Sequence, residues 1–209
     1  MVLDSYRGTA DRVLLPMARG LARVSPNTLS WVAFAAAVLA AVSFFLGGGT
    51  LLMAGAAFVV LNGLFDALDG KVAKLTGTAS VRGDFLDHLL DRYADVAILT
   101  GIAFSPYSPV WLGLLAIVGV LLSSYMGTQA QAVGLGRQYG GVLGRADRLV
   151  ILVVAALLQG ILDPAEAAAI GVAGAQFTYL GWAMVIFAVL GNVTAIQRAA
   201  GIWRRLSPR

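Results

Sequence analysis

Long apolar runs separated by short polar breaks dominate this chain. Runs of this length and composition are typical of helices that cross a lipid bilayer. Clusters of glycine, proline and small polar residues mark where most of them end. The pattern predicts an all-α integral membrane protein with six transmembrane helices, at approximately 29–46, 51–65, 82–104, 110–132, 147–162 and 175–196. The second helix is expected to continue past 65 into a more polar stretch, up to a turn at 76–78.

The residues before the first span follow a different pattern. Apolar side chains recur there at three- and four-residue steps, and most arginines lie on the opposite side of a helix. A helix of this kind lies in the headgroup layer of a membrane. We therefore expect an N-terminal interfacial amphipathic helix whose apolar stripe contains Val13, Leu14, Met17, Leu21 and Val24. A disordered tail is the alternative, because Pro16 weakens a helix.

Charge placement predicts the orientation and three segments: the interfacial helix with its lead-in at 1–28, the transmembrane domain at 29–196 and a basic tail at 197–209. When six spans are threaded, all fifteen Lys and Arg residues fall on one side. The positive-inside rule places that side, and both termini, in the cytoplasm. The net charge of +4 therefore reflects topology and does not indicate a nucleic-acid partner.

Composition supports the same class of protein. Of the 209 residues, 59% are hydrophobic and 12% are charged, whereas soluble domains carry about 25% charged residues. The chain has no cysteine, which excludes a disulfide framework and a thiolate metal site.

One acidic stretch, at 66–91, interrupts the apolar pattern and holds five of the eleven acidic residues. Asp66 and Asp69 are three residues apart at the end of the second apolar run. Asp87 and Asp91 are four residues apart at the start of the third. At these spacings the members of each pair share a helix face. Because ionisable groups in membrane segments are costly, they indicate a functional site.

Four converging carboxylates repel one another unless a cation neutralises them. Hard divalent cations do this with oxygen ligands, and two such ions would clamp a diphosphate. Gly70 and Gly83 allow a ligand to approach the backbone closely. The alternative is a solvated acidic turn.

Three neighbouring polar residues are expected to play lesser roles. We expect structural roles for Asp84 and Asp95, which lie on the same predicted helix as Asp87 and Asp91. We expect the single histidine, His88, to pack away from the Asp87 and Asp91 face.

The acidic stretch closely resembles the motif of the CDP-alcohol phosphotransferase family, D-x2-D-G-x2-A-R-x8-G-x3-D-x3-D. The chain matches seven of its eight fixed positions at every spacing, with Lys74 in place of the usual arginine. Lysine keeps the charge but loses the planar, bidentate fork of arginine. The resemblance extends to the six spans, the interfacial helix and the basic loop before span five.

This resemblance implies an enzyme that transfers a phosphatidyl-type group, with diacylglycerol or archaeol, from a CDP-linked lipid to the hydroxyl of a small polar alcohol and releases CMP. It implies a homodimer that uses Mg²⁺ or Mn²⁺, with two ions. Metal ligation would fall to Asp66, Asp69, Asp87 and Asp91, and Asp91 would also be the general base. Contacts to the cytidine diphosphate would come from Gly70, Ala73, Lys74 and Gly83.

The acceptor site would lie near the end of span four and the following loop. Relatives that use inositol phosphate have a basic run there, whereas residues 124–131 of this chain carry no charge. On that ground inositol phosphate is a less favoured acceptor. The candidate acceptor-binding residues are Gln129, Arg137, Arg145 and Arg148. For the arginines, headgroup anchoring is an equal alternative.

Two other functions fit an acidic membrane protein less well. An aspartate-rich intramembrane prenyltransferase acting on a polyprenyl diphosphate would need two distant aspartate motifs and more spans. A cation transporter would need acidic residues along a path through the bilayer. Spans one, four and six contain no acidic residue.

Overall fold

Helices account for most of the fold. The structure, a computed structural model, describes residues 7–136, 138, 140–162, 170–172 and 174–206. Within them the helices are α1 (Arg7–Gly20), α2 (Pro26–Leu46), α3 (Gly49–Thr76), α4 (Val81–Ala103), α5 (Val110–Ala132), α6 (Arg145–Leu162) and α7 (Tyr179–Arg205). Two short strands, β1 (Ile170–Val172) and β2 (Ala175–Phe177), pair antiparallel between α6 and α7.

Helix boundaries agree with the predicted runs except around the last helix. The predicted sixth span begins at 175, but residues 175–177 pair with β1, and Ile170 lies opposite Phe177. The helix begins only after Thr178, whose hydroxyl accepts a hydrogen bond from the Gly181 amide at 3.0 Å. It then continues to Arg205, so most of the predicted basic tail belongs to α7.

Local capping sets the turn between α3 and α4. Gly77 adopts a left-handed conformation (φ 67°) and ends α3, a conformation that glycine adopts at little cost. Ser80 then caps α4, and its hydroxyl accepts a hydrogen bond from the Gly83 amide at 3.1 Å. The short connection keeps the acidic end of α3 and the acidic start of α4 at the same end of the bundle, although each helix packs chiefly against α2 rather than against the other.

Helices α2 to α7 close into a ring. Helix α2 packs against α3 and α4, α3 packs against α6, α6 against α7, α7 against α5, and α5 against α4. Small residues permit the closest approaches. A Cβ atom on Gly101 of α4 would lie 2.3 Å from the carbonyl oxygen of Ala41 in α2. Large apolar side chains fill the interior, among them Phe44, Leu52, Ile102 and Phe187.

Four of the described helices are long and apolar enough to cross a membrane: α2, α3, α5 and α7. Their outward faces carry exposed large apolar side chains, such as Trp31, Phe45 and Trp111. Such a surface is suited to lipid and not to water. The chain is therefore an integral membrane protein.

Helix α1 packs beside the acidic stretch. Ala18 of α1 belongs to a small apolar cluster with Leu29, Leu68 and Val72. Only part of the apolar stripe predicted for this helix is packed against the rest of the protein. Leu14, Leu21 and Val24 pack against this cluster, whereas Val13 and Met17 are exposed.

Candidate active site

The carboxylates of α3 and α4 meet at one end of the ring. Asp69 and Asp91 are buried, and Asp66 and Asp87 are half-buried. Asp66 Oδ2 and Asp91 Oδ1 both lie 2.6 Å from the same nitrogen, Nη1 of Arg145. The structure thus brings together the four aspartates predicted from their spacing.

Arg145 is the first residue of α6, and the contact of α6 with α3 carries its guanidinium to the carboxylates. Only one of its nitrogens is used in this pairing. Among the described residues, Nε and Nη2 of Arg145 have no hydrogen-bond partner although both are buried. A buried, unpaired donor edge is costly unless an anion or water binds it.

A second ion pair lies one turn further along α6. Nη2 of Arg148 donates to Asp95 Oδ2 at 2.9 Å, and both residues are buried. Arg92 lies between the two pairs, with Nη2 3.2 Å from Asp91 Oδ2 and Nε 3.9 Å from Asp95 Oδ2. Carboxylates and guanidinium groups therefore alternate along one row of contacts, which offsets the repulsion between like charges. The order is Asp66, Arg145, Asp91, Arg92, Asp95 and Arg148.

Ser30 of α2 positions one of the aspartates. Its hydroxyl donates to Asp69 Oδ2 at 2.6 Å, and both side chains are buried. The bond restrains the orientation of this carboxylate. Sequence reasoning missed Ser30, because the two residues are 39 positions apart and no local pattern joins them.

The donor set fits a hard divalent cation. Ligand atoms of Asp87, His88 and Asp91 all lie within 4.8 Å of one another. A small cavity of about 10 Å³, lined in part by Asp66, Asp87 and Asp91, adjoins them. Carboxylate oxygens from two helices around a small space are the ligands that Mg²⁺ and Mn²⁺ prefer.

The prediction that His88 packs away from the carboxylates is wrong. Its Nδ1 lies 3.6 Å from Asp87 Oδ2, and its Nε2 lies 3.6 Å from Asp84 Oδ1. His88 directly follows Asp87 and lies one helical turn after Asp84, and its imidazole is long enough to reach both carboxylates. His88 therefore belongs to the acidic cluster.

A larger cavity of about 560 Å³ opens beside Asp69 and Asp87. It lies between the α1–α2 connection, the end of α3 and the start of α4, with Asn27 and Ser80 on its wall. Its volume suits a drug-sized ligand. All four predicted nucleotide-contacting residues line it, namely Gly70, Ala73, Lys74 and Gly83.

The structure places the predicted acceptor residues in different settings. Arg145 contacts the aspartates, whereas Arg148 is buried against Asp95. Gln129 is half-buried near the end of α5, and Arg137 lies outside the described residues. Arg198, which sequence reasoning did not single out, donates to the carbonyl oxygens of Ser123 and Gly140 and holds the loop before α6 against α5.

A ring of helices in an integral membrane protein, with four carboxylates beside a ligand-sized cavity, fits the class of metal-dependent membrane enzymes. The family model for CDP-alcohol phosphatidyltransferase matches residues 23–193. The chain belongs to this family.

Several members of the family are similar over most of their length. The chain is 29% identical over 205 residues to an archaetidylinositol phosphate synthase of Methanothermobacter thermautotrophicus, covering 98% of this chain and 96% of that protein. It is 32% identical over 211 residues to a phosphatidylinositol phosphate synthase of Mycobacterium tuberculosis, covering 94% and 88%. To the phosphatidylinositol phosphate synthase of Cutibacterium acnes it is 34% identical over 168 residues, covering 77% and 80%.

Solved structures agree with this assignment. A crystal structure of the Mycobacterium tuberculosis phosphatidylinositol phosphate synthase with CDP-DAG bound matches with a TM-score of 0.77 and 28% identity, covering 95% of this chain and 98% of that one. The same enzyme in complex with manganese and citrate matches with a TM-score of 0.77 and 29% identity, covering 94% and 93%.

This chain is therefore a phospholipid-synthesising transferase. It moves a phosphatidyl-type group from a CDP-linked lipid to the hydroxyl of a small polar alcohol, releases CMP and depends on a divalent cation. Family membership excludes the prenyltransferase and transporter alternatives.

We predict that the Asp95–Arg148 pair is a structural tie. Asp95→Leu leaves a buried guanidinium without its nearest partner and should lower the free energy of unfolding by about 3 kcal/mol. The double variant Asp95→Leu/Arg148→Met removes both charges and should recover most of that loss. Thermal unfolding in detergent measures both. Equal melting temperatures for the single variant and the unmodified protein would contradict the assignment.

Proposed function

We propose that the acceptor is a phosphorylated polyol, inositol phosphate, and that Asp91 is the base that accepts its hydroxyl proton. The observation that carries this proposal is Arg145, which contacts Asp91 through one nitrogen and presents two unpaired, buried nitrogens beside it. A guanidinium edge of this kind suits a phosphate group. The similar enzymes from three organisms are inositol phosphate lipid synthases by name, which supports the same acceptor.

The uncharged end of α5 does not oppose this acceptor. The expectation against inositol phosphate rested on the uncharged residues 124–131, while a cation that lies on α6, Arg145 or Arg148, was already a candidate contact to the acceptor. In the structure Arg145 provides that cation at the carboxylates themselves. We propose that Arg145, with Gln129 and Arg137, binds the acceptor, and that Arg148 acts through Asp95.

The donor would bind in the cavity of about 560 Å³. Gly70 has no neighbouring atom within 4 Å of an added Cβ, so the backbone is open to a diphosphate there. Lys74 adds a positive charge to the cavity, and the N-terminal end of α4 adds the positive end of a helix dipole. Both would attract the negatively charged diphosphate. Two divalent cations held by Asp66, Asp69, Asp87 and Asp91 would neutralise the diphosphate and stabilise charge on the leaving CMP.

Transfer would then proceed by direct displacement. The hydroxyl of the acceptor loses its proton to Asp91, and its oxygen forms a bond to the lipid-side phosphorus. The bridging P–O–P bond breaks, and CMP leaves with the bridging oxygen. Nη2 of Arg92, 3.2 Å from Asp91 Oδ2, holds one oxygen of Asp91 and so fixes the orientation of the base.

We also propose the topology and assembly. Helices α2 to α7 are the six transmembrane helices, and α1 lies at the membrane interface with Val13 and Met17 toward lipid. Both termini and the aspartates face the cytoplasm, since the basic residues collect there. The homodimer is an expectation from the family resemblance.

We expect Asp91→Asn to reduce CMP release by at least about 100-fold, because a general base contributes on this scale. CMP is measured with CDP-diacylglycerol or CDP-archaeol, Mn²⁺ and inositol phosphate. Glu166→Gln, a carboxylate-to-amide change outside the acidic stretch, should keep the full rate. Full turnover by Asp91→Asn would contradict the assigned base.

An acceptor screen tests the substrate directly. CMP release should be fastest with inositol phosphate and slow with inositol, serine or glycerol 3-phosphate, and EDTA should abolish it. Gln129→Ala should raise KM for the acceptor with little change in kcat. A preference for unphosphorylated inositol would contradict the proposed role of Arg145.

Introduced cysteines test the topology, since the chain has none of its own. Val81 is 89% exposed at the start of α4, so Val81→Cys should react with an impermeant maleimide only after the cell membrane is opened. Glu166→Cys should react in intact cells. The reverse labelling pattern would contradict the orientation.

A further inference from the structure

One nitrogen of Arg145 lies between two of the proposed metal ligands. Nη1 is 2.6 Å from Asp66 Oδ2 and 2.6 Å from Asp91 Oδ1, on two different helices. A divalent cation that used these same two oxygens would lie close to the guanidinium charge. Like charges at such short range repel strongly where water is largely excluded. The guanidinium and the cation therefore oppose one another at Asp66 and Asp91.

The opposite edge of the same guanidinium is unpaired. Nε and Nη2 of Arg145 are buried and have no hydrogen-bond partner among the residues that the structure describes. An anion on this edge would offset the guanidinium charge and draw Nη1 away from the carboxylates. The same side chain can thus repel a cation near one edge and attract an anion to the other.

We propose that Arg145 competes with a divalent cation for Asp66 and Asp91, and that the acceptor phosphate relieves this competition. The second part rests on the proposed function, in which the acceptor carries a phosphate. By thermodynamic linkage, the phosphate must then tighten cation binding, and the cation must tighten phosphate binding by the same factor. Arg145 is a coupling residue in this scheme as well as a contact to the acceptor.

The neighbouring pair on α6 shows what a purely structural arginine looks like. The Arg148 side chain is 9% exposed and donates to one carboxylate within the bundle. The Arg145 side chain is 22% exposed, lies at the first position of α6 and follows Gly144. A side chain at a helix start can shift with less disturbance of packing than one in the bundle interior. Arg145 is therefore placed to exchange partners, and Arg148 is not.

Mn²⁺ affinity measures the competition without any turnover. We expect Arg145→Gln, assayed by calorimetry or Mn²⁺ electron paramagnetic resonance in the absence of acceptor and donor, to bind Mn²⁺ about tenfold more tightly than the unmodified protein. Arg145→Lys keeps the charge and should remain within about threefold of the unmodified protein. Arg82→Gln removes a cation from the exposed start of α4 and should change the affinity by less than about twofold, because exposed charges are screened.

The second measurement adds inositol phosphate. In the unmodified protein it should tighten Mn²⁺ binding about tenfold, and in Arg145→Gln this effect should disappear. Coupling that persists in Arg145→Gln would show that the phosphate acts on the metal without Arg145 and would overturn the inference. Unchanged or weaker Mn²⁺ binding by Arg145→Gln in the first measurement would also overturn it. Far-UV circular dichroism and the melting temperature verify that each variant is folded.

Failure of the proposed acceptor gives a different result. If inositol phosphate does not bind the unmodified protein at all, the acceptor assignment and the coupling are both overturned. The tighter Mn²⁺ binding of Arg145→Gln would still stand, because that measurement contains no acceptor. If inositol phosphate binds and supports CMP release but leaves the Mn²⁺ affinity unchanged, the coupling alone is overturned.

Discussion

Neutralising the carboxylates at the end of α3 and the start of α4 is the constraint on which the rest of this structure depends. Asp69, Asp91 and Asp95 are buried, and burying an ionised carboxylate is costly unless partners satisfy it. The protein meets this cost with guanidinium groups from α4 and α6 and with the hydroxyl of Ser30 from α2. Three helices besides α3 therefore contribute a side chain to the same site.

The closed ring of helices makes this convergence possible. Helix α6 is far from α3 along the chain, yet it packs against α3 and delivers Arg145 to Asp66. The loop before α6 is held by Arg198 through two backbone carbonyl groups, so the start of α6 is fixed relative to α5. The cavity of about 560 Å³, the carboxylates and the arginines then follow one another from the α1–α2 connection to α6.

Short-range patterns predicted much of this arrangement. The spacing of Asp66, Asp69, Asp87 and Asp91 placed each pair on one helix face, and the bounds of α5 agree with the predicted 110–132. Contacts between distant segments could not be predicted in this way. The Ser30–Asp69 bond joins positions 39 apart, and the strand pair at 170–177 depends on cross-strand pairing. Arg145 and Arg148 are both arginines of α6, and only the packing of the helices gives them different partners.

Locating bound Mn²⁺ in an experimental structure tests the central claim most directly. Anomalous scattering from crystals grown with Mn²⁺ and a CDP-linked lipid should place ions within about 2.3 Å of carboxylate oxygens of Asp66, Asp69, Asp87 and Asp91, between the ends of α3 and α4. Ions bound only by Asp84 and His88, or at Asp95, would contradict the account, because the four converging carboxylates would then have another purpose.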